Sequence, residues 1–262
     1  MKNNPIGIFD SGIGGTSIWK EINVMLPNES AIYLADSKNA PYGGKSTDKI
    51  LELSIKNTEL LLKMDCKLIV VACNTATTNA ITYLRKNYKV PFIGIEPAIK
   101  PAALKSNSKK VGVLATKGTL SSDLFYETSN NHASGIAIIE REGTGLVPLI
   151  EEGKINSKEI KDLLDQFLKP MLDEGIDYLV LGCTHYPYLM PVLKELLPPH
   201  VKIIDSGEAV ARQTKAVLEK NRLLCLSEHK AVHQFYSNTN TQILESFLGD
   251  ANKRTKISYL DF

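Results

Sequence analysis

No stretch of this 262-residue chain is apolar for long enough to cross a bilayer: the longest unbroken apolar runs, 68–73 and 146–150, fall far short of the ~18 residues that a span requires. Blocks of like charge are also missing. None exceeds a pair, and 31 Lys plus Arg against 29 Asp plus Glu leave a formal charge of +2, which disfavours a protein held to nucleic acid or a membrane surface by its field. The amino terminus, MKNNPIGIFD, lacks the apolar segment and small-residue cleavage site of a secretory signal. A cytoplasmic protein is therefore expected. In that reducing compartment the four cysteines, Cys66, Cys73, Cys183 and Cys225, should be thiols. They also lack the paired spacing of zinc knuckles, so each has to be explained singly.

What the chain does have is regular alternation. β-rich runs at 6–10, 31–36, 67–72, 91–95, 110–115, 136–140, 177–182, 201–205 and 232–236 are separated by amphipathic stretches. The clearest of these, at 48–64, 76–88, 157–174 and 208–221, are long enough for crossover helices. This pattern predicts a parallel α/β sheet. Breaks in it are expected at 96–101, where two prolines interrupt, and after residue 204. LIVVACNTA at 68–76 echoes LVLGCTHYP at 179–187, which suggests a duplicated half: an apolar strand, a small residue, a cysteine, polar side chains, then a helix. The tripeptide DSG also occurs twice, at 10–12 and 205–207, a length at which chance recurrence is easy.

In open parallel sheets ligands bind where strand carboxyl ends meet helix N-termini, and Cys73 and Cys183 both fall there. A thiol at a helix's positive end can gain thiolate character, and Asn74, Thr75 and Thr184 follow with side-chain and backbone donors suited to a carboxylate. A single such cysteine reads more naturally as a small buried hydrophobe. Two in matching contexts suit inversion at a carbon bearing hydrogen, which needs a base on one face and an acid on the other.

Two nucleotide readings fail on detail. DSGIGG has the spacing G-x-G-G, with Ser17 where the third fingerprint glycine belongs and Asp10 poised to repel an anion. GGKST lacks the P-loop's first glycine, Asn39 standing in its place. Asp10 and Ser11 are better suited to a substrate ammonium or to polarising Cys73. Tyr42 and Gly43 form a turn that offers a hydroxyl and a backbone donor to a second carboxylate. His185 reads as a proton relay or orienting group for Cys183, as a cap of its own turn, or as a zinc ligand with the two thiols, though zinc wants three or four ligands. Glu151 either reaches the same thiol or is solvated. Cys66, Cys225, His132, His200, His229 and His233 have no recurring context and read as structural or surface residues, and Trp19 as part of the first helix's apolar face.

DSGIGG, PYGGKS, ACNTA, PLIE and GCTHYP, in that order, resemble the glutamate racemases of the cofactor-independent aspartate/glutamate racemase family, over most of the chain. The resemblance implies two pseudo-symmetric α/β domains, each a mainly parallel sheet flanked by helices, with the active site in the cleft between them. The first would be 1–97 with 206–262 and would carry Cys73; the second, 98–205, would carry Cys183. It further implies that Cys73 and Cys183 are the two proton donors and acceptors, with Asp10 assisting Cys73 and His185 assisting Cys183. Ser11, Tyr42, Gly43, Asn74, Thr75 and Thr184 would bind or orient substrate, and Glu151 matches the acidic residue after Pro-Leu. His185 favours glutamate over aspartate. No cofactor, metal, nucleic acid or membrane is implied; a homodimer supplying D-glutamate to peptidoglycan is.

Overall fold

The computed structural model describes residues 2–132, 135–226, 231–249 and 255–262; His229 and the side chain of His132 fall outside what is described. Ten strands are described: β1 (Ile6–Asp10), β2 (Ala31–Ala35), β3 (Leu68–Val71), β4 (Phe92–Gly94), β5 (Lys110–Ala115), β6 (Ala137–Glu142), β7 (Tyr178–Gly182), β8 (Lys202–Ile204), β9 (His233–Ser237) and β10 (Thr255–Tyr259). They form two wholly parallel sheets. One has six strands in the order β10-β9-β2-β1-β3-β4 and the other four in the order β6-β5-β7-β8.

The two orders contain the same motif. Numbering each half from its own first strand, β2-β1-β3-β4 and β6-β5-β7-β8 are both 2-1-3-4, and β9 and β10 return late in the chain to extend the first sheet. The echo around the two cysteines is thus a topological equivalence between β3 and β7. The second DSG is not equivalent to the first: it follows β8, where Asp205 Oδ1 accepts from Gly207 N at 2.8 Å and starts the helix Gly207–Lys220.

Unbroken apolar runs form these strands because helices cover both faces. In β3, Leu68 and Val70 join the core that also holds Trp19 and Phe235, whereas Ile69 and Val71 face the helices Thr47–Lys63 and Asn74–Asn87. Each such fully buried side chain stabilises the fold by about 1.5–3 kcal/mol. Trp19 lies on the buried face of the helix Thr16–Met25 and meets Phe235 edge-on at 4.9 Å. The first-named core continues through Leu114, Leu179 and Leu181 into the second sheet, so the halves share apolar packing.

The chain passes between the sheets twice, after β4 and after β8. Ser206 Oγ donates to the Glu96 carbonyl, tying the two crossings together. Among the described residues no helix is long and apolar enough to cross a membrane.

Candidate active site

The carboxyl ends of both sheets face each other around a small, tight cavity. Loops after β1, β2 and β3 supply Ser11, Pro41, Tyr42, Gly43, Cys73, Asn74 and Thr75. Loops after β5, β6 and β7 supply Thr116, Val147, Cys183, Thr184 and His185. Equivalent strands of the two halves therefore line one site, and both thiols border the same space. A larger cavity adjoins it, sharing Pro41, Gly43, Thr116 and Val147 and adding Lys117 and Glu142.

Cys73 ends the extended segment after β3 and caps the 14-residue helix Asn74–Asn87, its sulfur accepting from Ala76 N at 3.5 Å. The thiol also donates to Ser11 Oγ at 3.7 Å. Burial, with the Asp10 carboxylate second, pushes its pKa well up, so the resting side chain is a neutral thiol. Asp10 is wholly buried behind this group. Its Oδ2 accepts from Gly15 N at 2.8 Å and its Oδ1 from Thr184 Oγ1 at 3.4 Å. Burial raises the Asp10 pKa, and the His185 charge and the Gly15 N–H oppose that rise.

Cys183 follows β7 but does not cap a long helix; a 3-10 turn, Tyr186–Leu189, comes next. Its partner is His185, whose Nδ1 lies 3.7 Å from Cys183 Sγ and whose Nε2 lies 2.6 Å from Glu151 Oε1. Burial disfavours charge on the imidazole. The Cys183 sulfur and the Glu151 carboxylate on its two nitrogens outweigh it, holding the His185 pKa well above the ordinary imidazole value. His185 makes no side-chain cap of its turn; its two ring nitrogens face Cys183 and Glu151 instead.

Glu151 terminates the helix Leu146–Glu151 and reaches across to the opposite half. Oε1 accepts from Ile13 N at 2.7 Å and Oε2 from Ser37 Oγ at 3.0 Å. This contact explains two glycines of DSGIGG: a Cβ on Gly12 would lie 1.9 Å from Glu151 Oε1, and one on Gly14 would lie 2.2 Å from His185 Nδ1. Tyr33, buried in β2, donates to the Gly12 carbonyl at 2.7 Å and holds that turn.

Asn74 is 3% exposed, and neither its amide oxygen nor its amide nitrogen has a hydrogen-bond partner. A buried amide left unpaired costs about 1–3 kcal/mol, which a polar ligand in the cavity would remove. Thr75 is held by Thr116 Oγ1 at 2.7 Å and Thr119 Oγ1 at 3.3 Å. The Tyr42 hydroxyl differs from expectation: it donates to Asp36 Oδ2 at 2.5 Å and accepts from Asn57 Nδ2 at 3.1 Å. Its ring lines the cavity, and what the turn can offer a ligand is main chain.

The site residues expected from sequence thus divide in two. Ser11, Tyr42, Gly43, Cys73, Asn74, Thr75, Cys183, Thr184 and His185 line the cavity, whereas Asp10 and Glu151 stand behind its wall. Thr116, Val147, Ser37 and the Ile13 N–H were not foreseen. Thr116 follows β5 as Ser11 follows β1, so the repeat itself was a signal for it. Of the remaining cysteines, Cys66 packs beneath β1 with its thiol pushed up to about 12 by burial and Asp65, and Cys225 Sγ lies 3.7 Å from Asn3 Oδ1. His233 is buried beside Trp19, and His200 is exposed. Among the described residues no group of three or more His, Cys, Asp or Glu side chains is arranged to hold a metal ion.

A pair of parallel sheets meeting at their carboxyl ends around a small polar pocket with two thiols is the architecture of an α/β enzyme acting on a small molecule. The chain belongs to the Asp/Glu/Hydantoin racemase family, whose profile matches residues 15–214. It is 44% identical to a glutamate racemase of Ectopseudomonas mendocina over 245 residues, covering 93% of each chain. Solved structures share the fold, two of them with glutamate bound. Escherichia coli glutamate racemase, in complex with L-glutamate and an activator, has a TM-score of 0.85 and 33% identity, with 98% of both chains covered. The Francisella tularensis enzyme, in complex with D-glutamate, has a TM-score of 0.84 and 29% identity over 98% of both chains.

Proposed function

We propose that this chain is a glutamate racemase that interconverts L- and D-glutamate by 1,1-proton transfer between two cysteines, without a cofactor, and so supplies D-glutamate for peptidoglycan. The observation that carries this reading is that Cys73 and Cys183, from equivalent strands of two halves, border one small cavity beside the unpaired amide of Asn74. Substrates seated in relatives of the same fold, L-glutamate in one and D-glutamate in another, support the choice of amino acid. The halves act as two domains, 1–97 with 206–262 and 98–205, enclosing the substrate between them.

In the L to D direction Cys183, as thiolate with the imidazolium of His185 against it, takes the α-proton and becomes a thiol. The electron pair left on the α-carbon delocalises into the carboxylate. Asn74, Thr75, Thr184 and Ser11 supply polar groups around that carboxylate, preorganised in a pocket too small to leave bulk water around the reacting carbon. Cys73 then delivers its proton to the opposite face and is left as thiolate, with Asp10 assisting it. The reverse reaction exchanges the two roles.

The test is circular dichroism of either enantiomer of glutamate with metal-stripped, pyridoxal-free protein. The signal should decay to zero. No decay, with activity appearing on adding a metal or pyridoxal phosphate, contradicts the reading. Aspartate in parallel separates the two family substrates.

A further inference from the structure

Glu151 belongs to the half that carries Cys183, yet two of its three partners belong to the other half: Ile13 in the loop after β1 and Ser37 in the loop after β2. Its third partner is His185, which in turn faces Cys183. The chain of contacts Ser37–Glu151–His185–Cys183 therefore starts in one half and ends on the thiol of the other. The Ile13 N–H is main chain and comes with the DSGIGG turn. Ser37 is the only side chain among the described residues that grips Oε2. Behind Cys73 the corresponding helper, Asp10, is held chiefly by Gly15 N of its own half at 2.8 Å, and its one contact across the cleft, from Thr184 Oγ1, is longer at 3.4 Å.

We propose that Ser37 is a positioning residue which, by holding Glu151 across the cleft, sets His185 against Cys183 only when the two halves are closed. This rests on the racemase reading above and adds to it a coupling between closure and the Cys183 thiol. Open, Glu151 loses both donors from the opposite half, and the imidazole loses its fixed orientation. The groups facing His185 are Glu151 from the helix Leu146–Glu151, Asp10 from the end of β1 and Cys183 from its own loop. Of these, Ser37 touches only Glu151.

The prediction is asymmetric. Ser37→Ala should lower kcat/KM about tenfold, equally in both directions, because the enantiomers are equal in energy and their ratio is fixed by equilibrium. Proton transfer at Cys183 becomes the slower of the two transfers. The primary isotope effect with L-[2-²H]glutamate should then rise and that with D-[2-²H]glutamate should fall. Ser37→Thr, which keeps the hydroxyl, should restore wild-type values. A purely structural role would not move the two isotope effects in opposite senses. Isotope effects that move together or not at all in Ser37→Ala, or failure of Ser37→Thr to rescue, overturn the proposal.

Nitrogen-15 spectra of His185 in the substrate-free protein, assigned with His185→Asn, supply a readout that does not depend on turnover. Wild-type protein should keep both ring nitrogens protonated to higher pH than Ser37→Ala does, and identical titrations contradict the proposal. A wild-type protein that leaves the α-proton of glutamate unexchanged sinks the function reading instead, and the nitrogen spectra still decide the role of Ser37.

Discussion

Cys73 and Cys183 occupy equivalent ends of equivalent strands, yet their surroundings are opposite in charge. Behind Cys73 stand a long helix, a buried carboxylate and a hydroxyl, and burial with the Asp10 charge keeps its proton on. Behind Cys183 stand a short turn and an imidazole made more basic by its partners, ready to face a thiolate as a cation. Two equivalent positions thus carry a thiol each, and the residues behind them differ: a buried carboxylate and a hydroxyl at Cys73, an imidazole backed by a carboxylate at Cys183. The proposed two-cysteine transfer calls for such a difference, because two thiolates or two thiols across one α-carbon cannot pass a proton through it.

The comparison breaks most directly at the sulfurs themselves. Cys73→Ser and Cys183→Ser should each lower turnover by at least about 10³-fold in both directions, since every cycle uses both groups. A serine variant at full rate would remove that cysteine from the reaction.

The helpers should separate the two sides. His185→Asn should cost about 10²-fold or more. Its charge is fully present below the ordinary imidazole pKa and is lost as pH rises through the elevated value, so activity should fall on the alkaline side. Glu151→Gln removes a partner that raises this pKa and should bring the fall to lower pH; an unmoved alkaline limb would show that another group governs it. The same sign applies to stability, because the His185 contribution weakens as pH climbs through its folded-state value.

Asp10→Asn should also lose activity, but with a gain in stability. Burial holds the Asp10 pKa up, so its contribution is largest below the ordinary carboxylate value and is lost as pH rises; at neutral pH its charge weakens the fold. An amide avoids that cost. Thermal denaturation at neutral pH should shift up by about 2–4 °C, the scale of 1 kcal/mol in a protein of this size. A drop would mean that Asp10 is needed for the fold itself.

Gly12→Ala places a methyl within the Glu151 carboxylate and should push His185 off line, lowering kcat/KM about tenfold to 10²-fold. The mildest expectation concerns the order of alkylation: iodoacetamide at neutral pH should label Cys183, with the His185 imidazole against its sulfur, before Cys73, whose proton burial and Asp10 hold on. Peptide mapping by mass spectrometry reads the order, and Cys73 labelled first would reverse the assignment of acid and base.

Much of this was legible in the chain. Strands such as 6–10 and 110–115 fall where their apolar runs place them, because a sheet covered on both faces writes itself as continuous hydrophobicity. β10 was not, since Thr255–Tyr259 is a short, half-polar edge strand whose pairing with β9 is tertiary. The two thiols were visible through their repeated context. What escaped sequence reading were long-range contacts without a local signature. Tyr42 gives its hydroxyl to Asp36, whose other oxygen accepts from Asn238, 202 residues further on. Ser37, in an ordinary polar loop, meets Glu151 only when two halves of the chain come together.

Racemisation in deuterium oxide, begun from a single enantiomer and stopped within the first turnovers, tests the two-sided arrangement most directly. Different sulfurs on opposite faces predict that the product enantiomer carries deuterium at the α-carbon while recovered starting enantiomer carries none, from either direction. Early deuterium in both enantiomers alike would mean that one group serves both faces, and would contradict the account.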